Sequence, residues 1–491
     1  MFHELPNEGD LLARVLASGN RIWQGVAMIK IFSHYFHRRT MLQVLLYSVL
    51  IVGTLIVSLT MQAGMGMFNV AAIASGVIRG GLMAVGILTV NFALGLYERP
   101  SKLTVGQVRA RAVLSFLFSM AIASGILFLL PLQSPYQNEQ ALVALLLIVS
   151  GLLIIRLFGG EILPVSYTHQ RVLVFGTGPR ACIVGQSLQA NDPGIELVGY
   201  FSGPQEKEPS VSERNILSSG KTLTDVVKNH HVDEIVVALN ERRGGSMPMR
   251  ELLDCKLNGI QVIDIATHFE QFLGQIHLDA VSAGWLIFGD GFKQGWVRSI
   301  VKWLFDMVGA MVLLSLSSPV MLVTALLIYL ESGGPVLYRQ ERVGLNGRIF
   351  NVIKFRSMRN DAEKDGTPRW ASAQDARITR VGKIIRKLRI DELPQLLCVL
   401  KGDMSLVGPR PERPYFVDRL TLEIPYYALR HGIKPGLTGW AQVRYHYGAS
   451  IKDTQHKLQY DLYYVKNHSW FLDLVILFET VGVVLTGKGA Q

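Results

Sequence analysis

Charge is scarce in this chain. Only 18% of its 491 residues are Asp, Glu, Lys or Arg, while 49% are hydrophobic. With a positive mean hydropathy, this excludes a polar disordered chain and argues for an integral membrane protein. Cysteine is nearly absent. Cys182, Cys255 and Cys398 are scattered, without a CxxC or a His/Cys ligand spacing, so neither a disulfide framework nor a zinc site is supported. A secretory leader is not expected either, because the polar stretch of about 40 residues at the N-terminus is too long a lead for one. What charge there is leans one way. The net charge is +11, and from Glu331 onward 25 Lys and Arg face 16 Asp and Glu. A basic last third favours anionic headgroups, phosphorylated substrates or nucleic acid.

Long apolar runs are abundant. Residues 41–61, 76–97, 112–132 and 141–158 each approach the ~20 residues that a spanning helix needs. Arg79 lies near the start of the second and can snorkel. His37, Arg38 and Arg39 precede the first run, and Arg99, Lys102, Arg109 and Arg111 lie between the second and third. The connections 62–69 and 133–140 carry no Lys or Arg. By the positive-inside trend both ends of a four-span bundle (41–160) face the cytoplasm, with residues 1–40 as a cytoplasmic lead.

From 171 to 291 the pattern changes to alternating strands and helices, read as a Rossmann-like parallel sheet. Expected strands are 171–175, 195–201, 232–239 and 260–265. The first runs into Gly176-Thr177-Gly178, a turn that permits phosphate approach at a helix N-terminus. Ala181 replaces a third glycine, Pro179 sits inside the motif, and no acid marks the end of the second strand. A nucleotide pocket and a structural or regulatory module both remain open.

A fifth apolar run, 307–330, has Pro319 in its middle. Proline removes the hydrogen bond to the Ser315 carbonyl at about 3 kcal/mol, and Ser315, Ser317 and Ser318 are placed to rescue freed groups. Arg298 and Lys302 precede the run; Arg339 and Arg342 follow it. Cations at both ends favour a re-entrant helix broken at Ser318-Pro319 over a kinked fifth span.

Chemistry concentrates beyond it. Lys354 and Arg356 share one side of a strand-like segment and suit phosphate oxygens, although a solvated edge strand explains them too. Asp391-Glu392, with Pro394 behind them, read as the first turn of a helix reaching Leu400; helix N-termini favour acids, so this pattern also has a purely structural explanation. Two glycine- and proline-punctuated loops follow. One runs from Gly402 through Gly408-Pro409-Arg410-Pro411 to Glu412, the other from Lys434 to Gln442.

Together these blocks, in this order over residues 297–491, closely resemble the bacterial sugar transferase family, the polyprenyl-phosphate hexose-1-phosphate transferases or monotopic phosphoglycosyl transferases. Four spans and a Rossmann-like middle domain resemble its long form. The Arg389-Ile390-Asp391-Glu392 stretch, Trp440 and the block 460–466 resemble its exopolysaccharide branch. The resemblance implies a mixed, helix-rich catalytic domain on a re-entrant membrane helix. It implies transfer of a hexose-1-phosphate from a UDP-sugar to polyprenyl phosphate through a phosphosugar–aspartate on Asp391, with UMP released, at the start of exopolysaccharide or O-antigen synthesis. Mg²⁺ would be held by Asp391, Glu392 and substrate phosphates. Lys354, Arg386 and Arg410 match the family's basic positions, and Ser318-Pro319 its helix break. Membrane lipids and a second copy of the chain are expected partners, nucleic acid is not, and the expected location is the bacterial inner membrane with both soluble domains cytoplasmic. Cys398 and Arg389 depart from residues common in relatives. The branch favours glucose or galactose, but no side chain names the sugar. The last apolar stretch, 470–485, contains Asp473 and Glu479 and reads as an interfacial amphipathic helix. The alternatives are a membrane-anchored nucleotide-sugar dehydratase or epimerase, whose Tyr-x-x-x-Lys pair occurs nowhere in the chain, and a non-catalytic assembly scaffold, which would not need the full set of carboxylates and cations.

Overall fold

The computed structural model describes chiefly residues 28–31, 34–62, 70–94, 105–130, 142–154, 170–203, 206–217, 222–239, 247–281, 291–359, 377–445 and 448–486, with short omissions inside some stretches. The chain forms two compact units. One comprises 1–29 and 35–273, the other 30–34 and 274–491.

In the first unit the apolar runs are helices: α1 (Arg38–Gln62), α2 (Val70–Ala93), α3 (Val105–Leu129) and further helical turns at 142–147 and 149–151. Ile51, Leu55, Met83, Ile87, Ala123, Leu127, Leu145 and Val149 form one buried cluster, so all four segments share a core. Gly76 and Gly80 let α2 approach α1, where an added Cβ would meet Ile56 and the backbone of Val52. Outward positions such as Leu45, Val49, Val85, Leu117 and Phe128 stay apolar. Of these helices, Arg111–Leu129 is long and apolar enough by itself to cross a membrane, and the apolar stretches 44–57, 76–91 and 142–151 are shorter. Residues 155–158 of the expected fourth span lie outside the described residues.

The middle segment is a four-stranded sheet: β1 (Gln170–Phe175), β2 (Ile195–Phe201), β3 (Glu234–Val237) and β4 (Gln261–Asp264), in the order β2-β1-β3-β4 and parallel throughout. The third and fourth strands are shorter than their sequence pattern implied. Val232, Leu239 and Ile260 are apolar but act as core flanks rather than ladder members. Helix α4 (Pro179–Asn191) follows the glycine turn, which lies at the reversal of strand order.

The second unit takes in the stretch from residue 274. Ile276 N–H donates to the Gln459 carbonyl, Trp440 Nε1 to the Gly274 carbonyl, and Lys466 lies over the Trp285 ring, which attaches the stretch from 274 to this unit. Its longest element is α5 (Trp296–Ser332), 37 residues or about 55 Å of helix. Pro319 lies inside it, and the freed Ser315 carbonyl is recaptured by Ser318 Oγ at 2.8 Å. This apolar helix is also long enough to cross a membrane. Both its ends attach to the same unit. Near the start, Asp306 Oδ1 accepts from Ser405 Oγ and the Leu406 amide, and Lys302 Nζ donates to Asp306, Asp473 and the Val407 carbonyl. Near the end, Ile328 packs on Phe355 and Ile385, and Glu331 accepts from the Arg380 and Val381 amides. Between these attachments Met311, Val312, Leu316, Leu322 and Val323 are exposed.

Around α5 lie the hairpin β5 (Leu337–Val343) and β6 (Ile349–Phe355), the helices α6 (Arg380–Lys387) and α7 (Leu396–Lys401), and the parallel pair β7 (Ser405–Val407) and β8 (Gly436–Thr438). The C-terminal helices are α8 (Ile451–Asn467) and α9 (Trp470–Thr486). The amphipathic reading of 470–485 is reversed in one respect. Asp473 is fully buried against Lys302 and Tyr464, and Glu479 pairs with Arg444, so its acids are internal attachments rather than a solvent face.

Lys302 forms an ion pair with both Asp306 and Asp473, which are 6% and 0% exposed. Lys302→Met would remove the direct ion-pair partner of two buried carboxylates, so a loss of about 3 kcal/mol or more is expected. Thermal unfolding in detergent checks it, and an unchanged midpoint would refute the assigned role of this triad.

Candidate active site

The site is assembled from three segments of the second unit. Strand β6 brings Lys354. A 3₁₀ turn, Ile390–Gln395, brings Asp391 and Glu392 and passes into α7. The acids therefore sit in a tighter turn before the α-helix, where sequence suggested its first turn. Arg389 enters that turn at φ +58°, left-handed backbone that costs a non-glycine residue about 1–2 kcal/mol. The loop 408–412 brings Arg410.

That loop is held by its carbonyls. Pro409 and Pro411 have no N–H to offer. The Pro409 carbonyl accepts from the Gly436 amide, that of Arg410 from Arg430, that of Pro411 from Arg342, and that of Glu412 from the Val343 amide. Gly408 packs so closely on the Lys434–Gly436 backbone that an added Cβ would collide with it. The two punctuated loops of the sequence are thus one crossed structure, joined by β7 and β8.

Glu392 and Asp391 are adjacent but differ electrostatically. Glu392 Oε1 accepts from Arg410 at 2.7 Å and from Lys354 at 3.2 Å, with Arg389 at 3.8 Å. Burial pushes its carboxyl up, but Arg410 and Lys354 outweigh burial and hold it well below the usual carboxylate range. At an effective dielectric of about 20, one ion pair at about 4 Å is worth about 4 kcal/mol, so close cations can reverse the effect of burial. Asp391 has no such partner. Its Oδ1 is buried without a hydrogen bond. Burial and the Glu392 charge push its carboxyl up to about 6, against the weaker pull of Lys354, Arg410 and Arg386. Burial also lowers the Lys354 ammonium, with Glu392 opposing.

The structure therefore brings together Lys354, Arg386, Asp391, Glu392 and Arg410. It does not bring Arg356 into this cluster. Arg356 lies just past the end of β6, where its guanidinium donates to the Ser332 hydroxyl and to the carbonyls of Ser332 and Gly333. The expected phosphate cation closes the C-terminus of α5 instead. Ser318 and Pro319 lie in the middle of α5, as read. Sequence reasoning passed over Arg342, Arg430 and Asp461. Asp461 stands in a largely apolar helical run and Arg430 two residues before a glycine turn, and a lone charge among apolar neighbours is the signal that marks a buried pair.

The second candidate loop is filled from within. At Gly176 (φ +133°) the turn passes the Ala238 carbonyl, and the Thr177 amide and hydroxyl both donate to Glu206 Oε2 at 2.6 and 3.0 Å. Gly178 follows at the start of α4, where its carbonyl accepts from the Cys182 amide. An internal carboxylate thus occupies the position where a phosphate would meet the turn, which favours the structural reading of this domain.

A half-buried aspartate whose Oδ1 is buried without a hydrogen bond, near three cations and in the same unit as a long apolar helix, is the candidate active site. The bacterial sugar transferase family profile matches residues 297–487, which contain all of it. A UDP-N-acetylgalactosamine-undecaprenyl-phosphate N-acetylgalactosaminephosphotransferase of Aeromonas hydrophila is 46% identical over 242 residues, 49% of this chain and 56% of that protein. An uncharacterized sugar transferase of Bacillus subtilis is 45% identical over 192 residues, 39% of this chain but 91% of its own. A UDP-glucose:undecaprenyl-phosphate glucose-1-phosphate transferase of Xanthomonas campestris pv. campestris is 33% identical over 333 residues, 65% of this chain and 68% of that protein. This chain belongs to the bacterial sugar transferase family.

Chemistry that uses Asp391 as a carboxylate must lose rate as the pH falls through about 6, where the group takes up its proton. Glu392→Gln removes the like charge, so the acidic limb should move to lower pH. kcat/KM across about pH 3 to 8 reads both effects. A wild-type limb centred near an ordinary aspartate, about 3.9, would contradict the burial argument.

Proposed function

We propose that the chain transfers a sugar-1-phosphate from a UDP-sugar to undecaprenyl phosphate, with Asp391 as covalent nucleophile. The observation that carries this is the contrast within the acidic pair: Glu392 is committed to two cations, while Asp391 Oδ1 is buried and unpartnered. In the first step an Asp391 oxygen attacks the sugar-bearing phosphorus. The bond from that phosphorus to the bridging oxygen breaks, UMP leaves with the oxygen, and an acyl phosphate forms. In the second step a phosphate oxygen of the lipid attacks the same phosphorus and Asp391 leaves as a free carboxylate. Lys354 and Arg410, oriented by Glu392, and Arg386 offset the repulsion between carboxylate and diphosphate. The raised Asp391 fits a nucleophile: a more basic oxygen attacks better, yet is ionised near neutral pH.

The donor set also suits Mg²⁺, which is held through one or two carboxylates plus substrate phosphates. Asp391 and Glu392 would be its protein ligands; among the described residues no cluster of three acidic, His or Cys groups competes with them. When bound, Mg²⁺ would neutralise phosphate charge. The relatives are named for both N-acetylgalactosamine and glucose, so either hexose is a donor to test, with galactose. Asp391→Asn should abolish UMP release and the phosphosugar adduct seen on wild-type protein by intact mass, while the variant stays folded. Near-normal turnover by that variant would sink the assignment.

The same reading includes four spans, a re-entrant α5 and a cytoplasmic site at the bacterial inner membrane, where exopolysaccharide or O-antigen synthesis would begin. Two features support re-entry: α5 attaches to one unit at both ends, and its exposed apolar middle contains Pro319. Single cysteines, Gly160→Cys and Gln340→Cys in a cysteine-free background, should both resist an impermeant thiol reagent on intact cells. Labelling at position 340 alone would mean a true fifth crossing.

A further inference from the structure

We infer that Arg430 and Asp461 are positioning residues for the transfer, setting the backbone of Arg410 so that its guanidinium meets Glu392; the inference rests on the transferase reading. Arg430 lies in the 3₁₀ turn Tyr427–Gly432 and Asp461 in α8. They are 6% and 3% exposed. Arg430 spreads one guanidinium over three partners. Nε and NH2 donate to Asp461 Oδ2 at 3.1 and 2.8 Å, NH1 to Tyr427 Oη at 2.8 Å, and NH2 also to the Arg410 carbonyl at 2.9 Å. The side chain of Arg410 then donates to Glu392 at 2.7 Å. A continuous chain of contacts therefore runs from α8 through Asp461, Arg430 and Arg410 to the carboxylate beside the nucleophile.

Stability alone does not demand this pair. A buried ion pair exchanged for apolar side chains of similar volume is often neutral or stabilising. What apolar side chains cannot do is donate to the Arg410 carbonyl. With prolines on both sides, that residue sits in a segment held through its carbonyls, and Arg430 supplies one of the two side-chain donors to them. Arg430 touches no reacting atom itself. It acts through Arg410, where a displacement of about 1 Å is enough to cost about 100-fold in rate.

The test uses the full chain with Arg430→Met and Asp461→Leu combined, so that neither charge is left alone. Three quantities are measured: thermal midpoint, hydrogen exchange of the Val343 and Gly436 amides, which donate to the loop carbonyls, and steady-state UMP release. The expected double variant melts within about 4 °C of wild type and exchanges those two loop-holding amides about tenfold faster. Its kcat falls about 100-fold while KM for the UDP-sugar stays within about threefold. Arg430→Lys keeps the charge, but one ammonium cannot serve Asp461, Tyr427 and the Arg410 carbonyl together, so it should show the same pattern to a smaller degree. If the double variant fails to fold, the loop exchange and kcat of Arg430→Lys decide. Wild-type loop exchange and kcat in a folded variant overturn the inference. So do faster exchange across the whole unit and a joint change of kcat and KM, because that is a structural effect. Absence of UMP release by wild type with every donor would overturn the transferase reading instead, and the loop exchange would still decide whether Arg430 holds the loop.

Discussion

Two adjacent carboxylates cannot both be buried as free charges. The second unit resolves this by treating them unequally. Glu392 receives Arg410 and Lys354 at hydrogen-bond distance and stays ionised. Asp391 keeps its burial and its neighbour's charge and receives no direct partner. Much of the unit follows from this asymmetry. The cations must arrive from separate segments, β6 and the 408–412 loop, and each segment must be stiff enough to hold its cation against its own hydration.

The stiffness comes from different sources. Lys354 is carried on a paired strand. Arg410 is carried on a loop with two prolines, whose carbonyls accept from two backbone amides and two arginines. Helix α6, with Arg386 in its last turn, is capped by Thr379 and by Glu331 from the end of α5. The apolar helix is thereby part of the frame of the site. Arg356 belongs to the same frame, closing the end of that helix.

The other unit is organised on a separate principle. Its helices share an apolar core and expose apolar side chains outward, as helices do when the surroundings are lipid. Its parallel sheet has the turn that would accept a phosphate, but Glu206 already supplies an anion there. The B. subtilis relative, matched over 91% of its length by 192 residues of this chain, shows that the transferase region also occurs without so large an N-terminal part.

The helices, the parallel sheet and the motif blocks that carry the family resemblance were legible in the sequence because each rests on local order. Apolar runs near twenty residues, strand–turn–helix alternation and short motifs such as Asp391-Glu392 and Pro409-Arg410-Pro411 are written in neighbouring residues. Helix formation around Pro319 was legible for the same reason: the Ser318 hydroxyl that recaptures the Ser315 carbonyl is only three residues away. The tertiary structure alone decided which cations meet which carboxylate. It turned Arg356 away to close a helix, brought Arg342 and Arg430 under the loop, and left Asp391 unpartnered. Those outcomes depend on contacts between residues 20 to 70 positions apart. Charge in a low-dielectric interior is governed by distance in space, which composition and periodicity do not encode.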